Sequence, residues 1–290
     1  MKWIAILAIS TAAFAAQDAF SIRRELKVGT SDVYKSESEV KQVIDVPSMG
    51  EQDILVTRIA TVNVKTVAVN AEKGTAEVEA LTKVEKNSTE GSLAAMMGGS
   101  EAKLPDPKTE KGTLDSRNRF MIAKDPNAKP APRGGGGMST MGMPGLTEIS
   151  AQTLLTFVEL PEKPIKIGES VEVSLPASSG AAGMGMKDVK MIIKLVGEKE
   201  VEGQKQLVLS YSGNMKIDLD PSKDPKATPG QGMKMWGTAV LSGEGIVDKA
   251  TGKTISNLMS VKNDLKVFVE QIGMELPVKG TITMKLTLVK

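Results

Sequence analysis

Cysteine and histidine are absent from this chain of 290 residues, and only nine of its residues are aromatic. Without cysteine the chain has no disulfide framework and no thiol nucleophile. Without histidine it lacks the commonest general base and the commonest metal ligand. Because aromatic side chains are so few, valine, isoleucine, leucine, alanine and methionine must fill the interior. The composition therefore requires an aliphatic core that is stable without cross-links.

A strong charge of one sign is absent as well. The formal net charge is +2, and lysine and glutamate are interspersed, as at residues 83–86 and 198–200. Interspersed charge is typical of a solvated surface rather than of a nucleic-acid interface. We therefore expect no nucleic-acid partner.

The common catalytic motifs are also missing. The sequence contains no Gly-x-Ser-x-Gly elbow, no Ser-x-x-Lys set with its companion motifs and no Walker loop. The four glycines at 134–137 lack the Gly-Lys-Ser/Thr ending that phosphate binding requires. We therefore predict a protein that is not an enzyme and that needs no cofactor.

Long hydrophobic runs are limited to the amino terminus, where the first fifteen residues have the pattern of a signal peptide. Lys2 supplies the charged region, residues 3–12 the apolar region, and Ala13 and Ala15 the small residues of a cleavage box. This run is well short of the roughly 20 residues that a membrane helix needs. We predict cleavage after Ala15 and export to the periplasm or beyond the cell, with an uncleaved anchor as the alternative. The mature chain would carry a formal charge of +1 (37 − 1 − 35) and no transmembrane segment.

Alternation with a period of two residues dominates the rest of the chain and predicts strands. One example is 281–288, where Ile, Met, Leu and Leu alternate with Thr, Thr, Lys and Thr. Another is 77–84, where Leu81 is the one apolar residue on the polar side. Within 59–69 the pattern slips by one residue, and we predict a bulge near Lys65 and Thr66 that absorbs the slip.

Turn residues separate these runs and predict hairpins at 72–74, 201–203 and 250–252. We expect about ten long antiparallel strands in an open or half β-barrel, with one helix at about 148–158 as a plug or lid. The segments 112–119 and 245–253 resemble one another, each with an Asp-led turn. This similarity reflects either an internal duplication or turn chemistry that recurs by itself.

The composition changes in the middle of the chain, which sets the predicted organisation of a single exported domain over 16–290. Residues 16–86 form a first sheet half, and 148–290 form the helix and a second sheet half. Residues 87–147 lose the alternation and gather methionine, glycine and proline, apart from a short strand at 120–123. We predict that this insertion is flexible.

Residues 160–170 (LPEKPIKIGES) and the turn Gly245-Ile246-Val247-Asp248 carry a resemblance to a known group. Together with the signal peptide and the long strands, they resemble a family of exported bacterial proteins, and the similarity is best over 163–290. That resemblance implies the open half-barrel of the periplasmic lipoprotein carriers, which present an apolar concavity to acyl chains. The shared motifs are structural turns, so the resemblance implies no particular site residue.

Three roles follow from these observations. The first is a cell-envelope protein that binds an apolar ligand, a lipid or a lipoprotein tail, in the hollow of its sheet. The second is Cu(I) binding by clustered thioethers, because soft sulfur ligands select Cu(I). Met138, Met141 and Met143 are the candidate ligands, and the pairs Met184/Met186 and Met233/Met235 are closely spaced in the same way. The third is a structural or protein-interaction scaffold whose hollow is filled by its own side chains. The sequence identifies no protein partner.

Overall fold

The structure is a computed structural model and describes residues 19–47, 49–96, 104–123, 150–174, 190–220, 233–269 and 273–289. Eleven strands and two short helices are formed within these ranges. In chain order they are β1 (Ser31–Val46), β2 (Gly50–Asn70), β3 (Thr75–Glu90), α1 (Ser92–Met96), β4 (Lys108–Asp115), β5 (Phe120–Ile122), α2 (Ala151–Leu154), β6 (Ser170–Ser174), β7 (Lys190–Val201), β8 (Gln204–Leu219), β9 (Met233–Asp248), β10 (Thr254–Val269) and β11 (Met274–Leu288).

All eleven strands belong to one antiparallel sheet with the order β5-β4-β3-β2-β1-β11-β10-β9-β8-β7-β6. The first and last strands therefore pair at the centre, where Val40 lies opposite Ile282. From the centre the chain winds outward to the edge strand β5, crosses to the other edge at β6, and winds back to β11. The sheet is not closed, so the predicted open, mainly β architecture is confirmed.

The two faces of the sheet differ as the alternation predicts. We call the face that carries the buried side chains the inward face and the other the outward face. On β3 every second residue from Ala76 to Val84 is buried on the inward face, whereas Leu81 is 45% exposed on the outward face. The predicted bulge in β2 is present, because Thr66 pairs with Val78 while Ala68 pairs with Glu77.

The hairpins predicted at 72–74, 201–203 and 250–252 connect β2 to β3, β7 to β8 and β9 to β10. Each turn contains a glycine at positive φ: Gly74, Gly203 and Gly252. These turns lie at the same end of the sheet as the turn between β4 and β5. The turn between β1 and β2 lies at the opposite end, together with α1.

Two expectations about local structure need correction. The predicted helix at about 148–158 is a single turn, Ala151–Leu154, and residues 155–158 are extended. The stretch 87–147 is predicted to lack strands apart from 120–123, where β5 is found, but its described residues also form α1, β4 and the end of β3. Strand β4 alternates buried and exposed residues, but only over eight positions, which is why the surrounding glycine and proline hid the pattern.

Among the described residues, no helix combines the length and the apolar character that crossing a membrane requires.

Candidate functional site

One segment of the chain lies across the inward face and determines how much of it is filled. We call residues 150–167 the strap. Its first part packs into the cluster formed by β1 to β4 through Ala151, Leu154 and Leu155. Its second part packs into the cluster of the other sheet half through Leu160 and Ile165, both fully buried. The strap therefore spans both halves, and we call the end of the sheet that it covers the strap end.

Polar contacts fix the strap to the sheet at several points. The Ser36 hydroxyl donates to the Leu154 carbonyl at 2.8 Å, and the Ala151 amide donates to Glu110 Oε2 at 2.6 Å. Farther along, the Val158 amide donates to Thr254 Oγ1 at 3.3 Å. These bonds satisfy backbone groups that would otherwise be buried without partners, so they define one position for the strap.

Asn118 joins the strap to two separate turns. It occupies the left-handed backbone region with φ of 63°, which asparagine tolerates better than most residues. Its amide nitrogen donates to the carbonyls of Val158 and Gly252 at 3.2 and 3.0 Å. One buried side chain thus connects the β4–β5 turn, the β9–β10 turn and the strap.

The N-terminal segment, residues 19–28, lies beside the strap and is held by the same two turns. The amide of Arg24 donates to the Ser116 carbonyl and the amide of Glu25 donates to the Thr251 carbonyl, at 2.8 and 2.7 Å. Phe20 and Ile165 exchange two backbone hydrogen bonds of 2.9 and 3.0 Å. The N-terminal segment therefore locks the strap against the turns.

A buried charge cluster lies under the N-terminal segment. Arg24 is 4% exposed and pairs with Asp32 at 2.6 Å, and Lys253 pairs with the second oxygen of Asp32 at 2.7 Å. Arg24 also donates to the Tyr34 hydroxyl and lies 5.2 Å from the centre of the Phe157 ring. Because every member has a partner, the cluster ties the strap to β1 at a tolerable desolvation cost.

Glycine permits the close packing of the strap. A Cβ on Gly245 would clash with the side chain of Val158, and a Cβ on Gly252 would clash with the backbone of Arg23. Gly252 also has a φ of 65°, which other residues rarely adopt. The motif Gly245–Asp248, singled out in the sequence, is the end of strand β9, and its glycine makes room for Val158 of the strap.

Glu159 is the one strap residue whose pKa is raised markedly among the described residues. It is 6% exposed, and burial raises its pKa to about 7. Arg117, whose guanidinium lies 2.9 Å from Glu159, lowers the pKa by a smaller amount. The effect of burial is the larger one, because the desolvation free energy of the carboxylate exceeds the stabilisation that the partly exposed Arg117 provides.

Past the strap the inward face continues to the opposite end of the sheet and is mainly apolar, although Gln42 and Asn263 lie on it on either side of Gly280. Leu265 and Leu276 are 2% and 1% exposed, and Ile44 packs in the same cluster as Leu93 of α1. Further members of this cluster at the opposite end are Met215, Ile217, Met235, Ala239, Val267 and Val278. The apolar cluster therefore extends well beyond the part of the inward face that the strap covers.

The outward face carries a shallow groove of about 630 Å³ over the four central strands. Each strand contributes three consecutive residues to it, of which the first and third point outward: Lys41 and Val43, Asp53 and Leu55, Lys262 and Asp264, and Lys279 and Thr281. The mixed charges and the polar surroundings are those of a solvated sheet face. We assign no ligand to this groove.

The site residues predicted from the sequence fall outside the described ranges. Met138, Met141 and Met143, the candidate copper ligands, and Ala13 and Ala15 of the cleavage box are not among the described residues. The copper and export hypotheses therefore stay predictions. Within the described ranges, no group of three or more acidic side chains is arranged to hold a metal ion.

One predicted methionine cluster can be placed. Met235 belongs to the Met233-Lys234-Met235 group that the sequence suggests for soft-metal binding. In the structure it lies in β9 and is 4% exposed within the apolar cluster. Met235 is therefore a core residue.

The similar segments 112–119 and 245–253 both form Asp-led turns. Asp115 accepts from the amides of Arg117 and Arg119, and Asp248 accepts from those of Ala250 and Thr251. Counted from the central β1–β11 pair, however, one turn joins the fourth and fifth strands and the other joins the second and third. These unequal positions favour recurring turn chemistry over duplication.

Comparison with known proteins identifies no family for this chain. No family model matches it. No curated protein matches it either. The resemblance to the exported carriers thus stays a prediction.

Solved structures give weak similarities. Lipovitellin, in a structure concerned with its lipid–protein interactions, is 12% identical with a TM-score of 0.44, and the match covers 92% of this chain and 26% of that one. DynF from the dynemicin biosynthesis pathway of Micromonospora chersina is 10% identical with a TM-score of 0.23, and the match covers 93% and 85%. The chain thus spans about a quarter of the length of lipovitellin. Scores this low assign neither a shared fold nor a function.

Proposed function

We propose that this protein is an exported, non-enzymatic cell-envelope protein that binds an apolar ligand, a lipid or a lipoprotein tail, on its inward face. The ligand lies at the opposite end of the sheet, past the strap. The observation that carries the proposal is that hydrogen bonds fix the segment that covers one end of this continuous face, whereas the contacts described for the other end are chiefly apolar.

A single sheet with an apolar face needs a second layer to bury that face. At the strap end the strap and the N-terminal segment supply this layer and are fixed by hydrogen bonds. At the opposite end, α1 packs on β2 and β3, while the apolar rows run on to β8. A ligand with an aliphatic chain would replace part of the cover at this end, and each methylene that it buries would contribute about 0.8 kcal/mol.

Ligand entry at this end requires an exchange of contacts. Side chains such as Leu265 and Val267 are already buried, at 2% and 7% exposure. The ligand therefore replaces contacts that the protein makes with itself. Apolar contacts are non-directional, so this replacement is less demanding than breaking the hydrogen bonds at the strap end.

The same burial supports a second candidate, a scaffold with a self-packed core that binds no small ligand. The two candidates differ in what co-purifies with the protein. In the scaffold, the inward face stays closed and the outward face or the strand edges carry any interaction.

Native mass spectrometry of the exported protein, purified from its own host without detergent, separates the candidates. The proposed function predicts an added mass that matches a lipid and that extraction with organic solvent removes. A bare chain that also fails to take up added fatty acids, fatty alcohols and phospholipids would contradict lipid binding and favour the scaffold. An added mass of copper would instead support the Met138, Met141 and Met143 hypothesis.

A further inference from the structure

One arginine on the inward face differs from the others in the described structure. Arg58 is on β2 between Val56 and Ala60, whose side chains are both buried on the inward face. It lies two residues past Ala60, the residue opposite Ser36, where the strap makes its hydrogen bond. At the rise of a strand, Arg58 is thus about 7 Å beyond this strap contact, toward the opposite end.

Arg58 has no carboxylate partner among the described residues. Its Nε donates to Asn87 Oδ1 at 3.2 Å, and no ion pair forms within the described ranges. By contrast, Arg24, Arg117 and Arg119 each pair with an Asp or Glu within 3 Å. Arg23 has no ion pair within the described ranges either, but its guanidinium donates to the carbonyls of Ile22 and Pro161. Burial alone lowers the pKa of Arg58, since no nearby anion opposes it.

A partly buried cation without an ion-pair partner is costly. Its removal from water disfavours the charged form, and no ion pair offsets that free energy. Proteins tolerate such a group where a bound anion completes the pair. The planar guanidinium matches the two oxygens of a carboxylate, and a single cation matches a single negative charge.

The surroundings of Arg58 suit the head of an amphipathic molecule. Ser38 lies directly opposite Arg58 on β1, and the Asn87 amide group is beside it, so further donors are at hand. One step farther toward the opposite end, the next inward pair is Val56 on β2 and Val40 on β1, both buried and apolar. Polar donors and an aliphatic track therefore meet at this point of the inward face.

We infer that Arg58 binds the carboxylate of a long-chain fatty acid whose hydrocarbon chain lies along the inward face toward the opposite end. The inference rests on the proposed function and adds to it the chemical class of the ligand. Ser38 and Asn87 donate to the same carboxylate, while Val40 and Val56 contact the first methylenes.

The test compares two ligands that differ only in the head group. Palmitate and 1-hexadecanol displace the neutral fluorophore N-phenyl-1-naphthylamine from delipidated full-length mature protein at pH 8. In Arg58→Leu we expect palmitate affinity to fall by tenfold or more and hexadecanol affinity to stay within about twofold. Arg58→Lys keeps the positive charge but lacks the paired N–H donors of the guanidinium, so we expect an intermediate loss of palmitate affinity.

Lys83→Gln is the matched control, because Lys83 is an exposed cation on the outward face of the neighbouring strand β3. An equal loss of palmitate binding in Lys83→Gln and Arg58→Leu would overturn the inference, as would unchanged palmitate binding in Arg58→Leu. Binding of lysophosphatidylglycerol but not of palmitate would overturn the carboxylate assignment. If neither palmitate nor hexadecanol binds the wild-type protein, the proposed function itself fails.

Unfolding curves check that each variant folds. Arg58→Leu should be at least as stable as the wild type, since it removes a charge that has no ion-pair partner among the described residues.

Discussion

The two ends of the inward face are built from the same apolar strands but are filled in different ways. At the strap end, buried polar groups such as Asn118 and Arg24 bind particular backbone and side-chain partners, so the covering segment has one position. At the opposite end, Leu265 and its neighbours are buried through apolar contacts. Directional bonds make the strap end a permanent part of the fold. In our proposal, non-directional packing allows a ligand to replace the contacts at the opposite end.

The most damaging change to the strap end should be the loss of the carboxylate in its charge cluster. Asp32→Asn leaves Arg24 and Lys253 facing a neutral side chain in a buried site. We expect the free energy of unfolding to fall by about 3–5 kcal/mol, measured by urea denaturation. Glu37→Gln, which removes an exposed ion pair with Lys35 on the outward face, is the control and should change little. Equal losses in the two variants would mean that the cluster does not anchor the strap.

Stability should depend on the protonation of Glu159. Its pKa is about 7 in the folded protein and 4.5 in the unfolded chain. Between these values the folded state retains a proton that the unfolded state has lost, so stability falls as pH rises from about 4.5 to 7 and is then constant.

The size of this decline is on the order of 3 kcal/mol. Urea midpoints measured from pH 4.5 to 8 should show the decline in the wild type and not in Glu159→Gln. A wild-type protein that becomes more stable over this range would show that the Arg117 pair outweighs burial.

Close packing of the strap should make Gly245→Ala destabilising, because the new Cβ overlaps Val158. We expect a loss of about 1–3 kcal/mol. Val158→Ala in the same chain should recover part of this loss, since it removes the overlapping atoms. A double-mutant cycle measures the coupling, and strictly additive effects would place the strap elsewhere.

The smallest effect on stability, but a selective effect on binding, is expected from a polar group at the opposite end. Val261→Thr introduces a hydroxyl beside the proposed track and should weaken hexadecanol binding several-fold. Val62→Thr makes the same change at the strap end, where Val62 is fully buried against the strap cluster. It should reduce stability and leave the affinity of the folded protein for hexadecanol unchanged. The reverse pattern would place the ligand under the strap.

The sequence predicts the sheet well because period-two alternation is a local signal. The faces of β3 and β11, the bulge in β2 and three hairpin turns follow from neighbouring residues alone. The predicted helix is too long because Ile149, Leu154 and Phe157 repeat at helical spacing, yet residues 155–158, Phe157 and Val158 among them, have no regular secondary structure. Their side chains contact Tyr34 and the site of Gly245, which lie far away in sequence.

The candidate site is less visible in the sequence. The strap is held by Asn118, Thr254 and Arg24, each of which reads as an ordinary polar residue near a turn. Arg58 interrupts an otherwise apolar row of β2, and that break in alternation is the one local signal of the proposed anion site. That no described carboxylate pairs with Arg58 depends on which strands flank β2, which only the topology reveals.

The central claim is that the opposite end of the inward face takes up an apolar chain while the strap end does not. A fatty alcohol that carries a photoactivatable diazirine on its chain tests this claim without involving the charge of Arg58. After irradiation and proteolysis, we predict labelled residues on the inward face at the opposite end, on β1 and β8 to β11, and none on the strap. Labels concentrated on the strap or on the outward face, or labelling that excess hexadecanol does not suppress, would contradict the account.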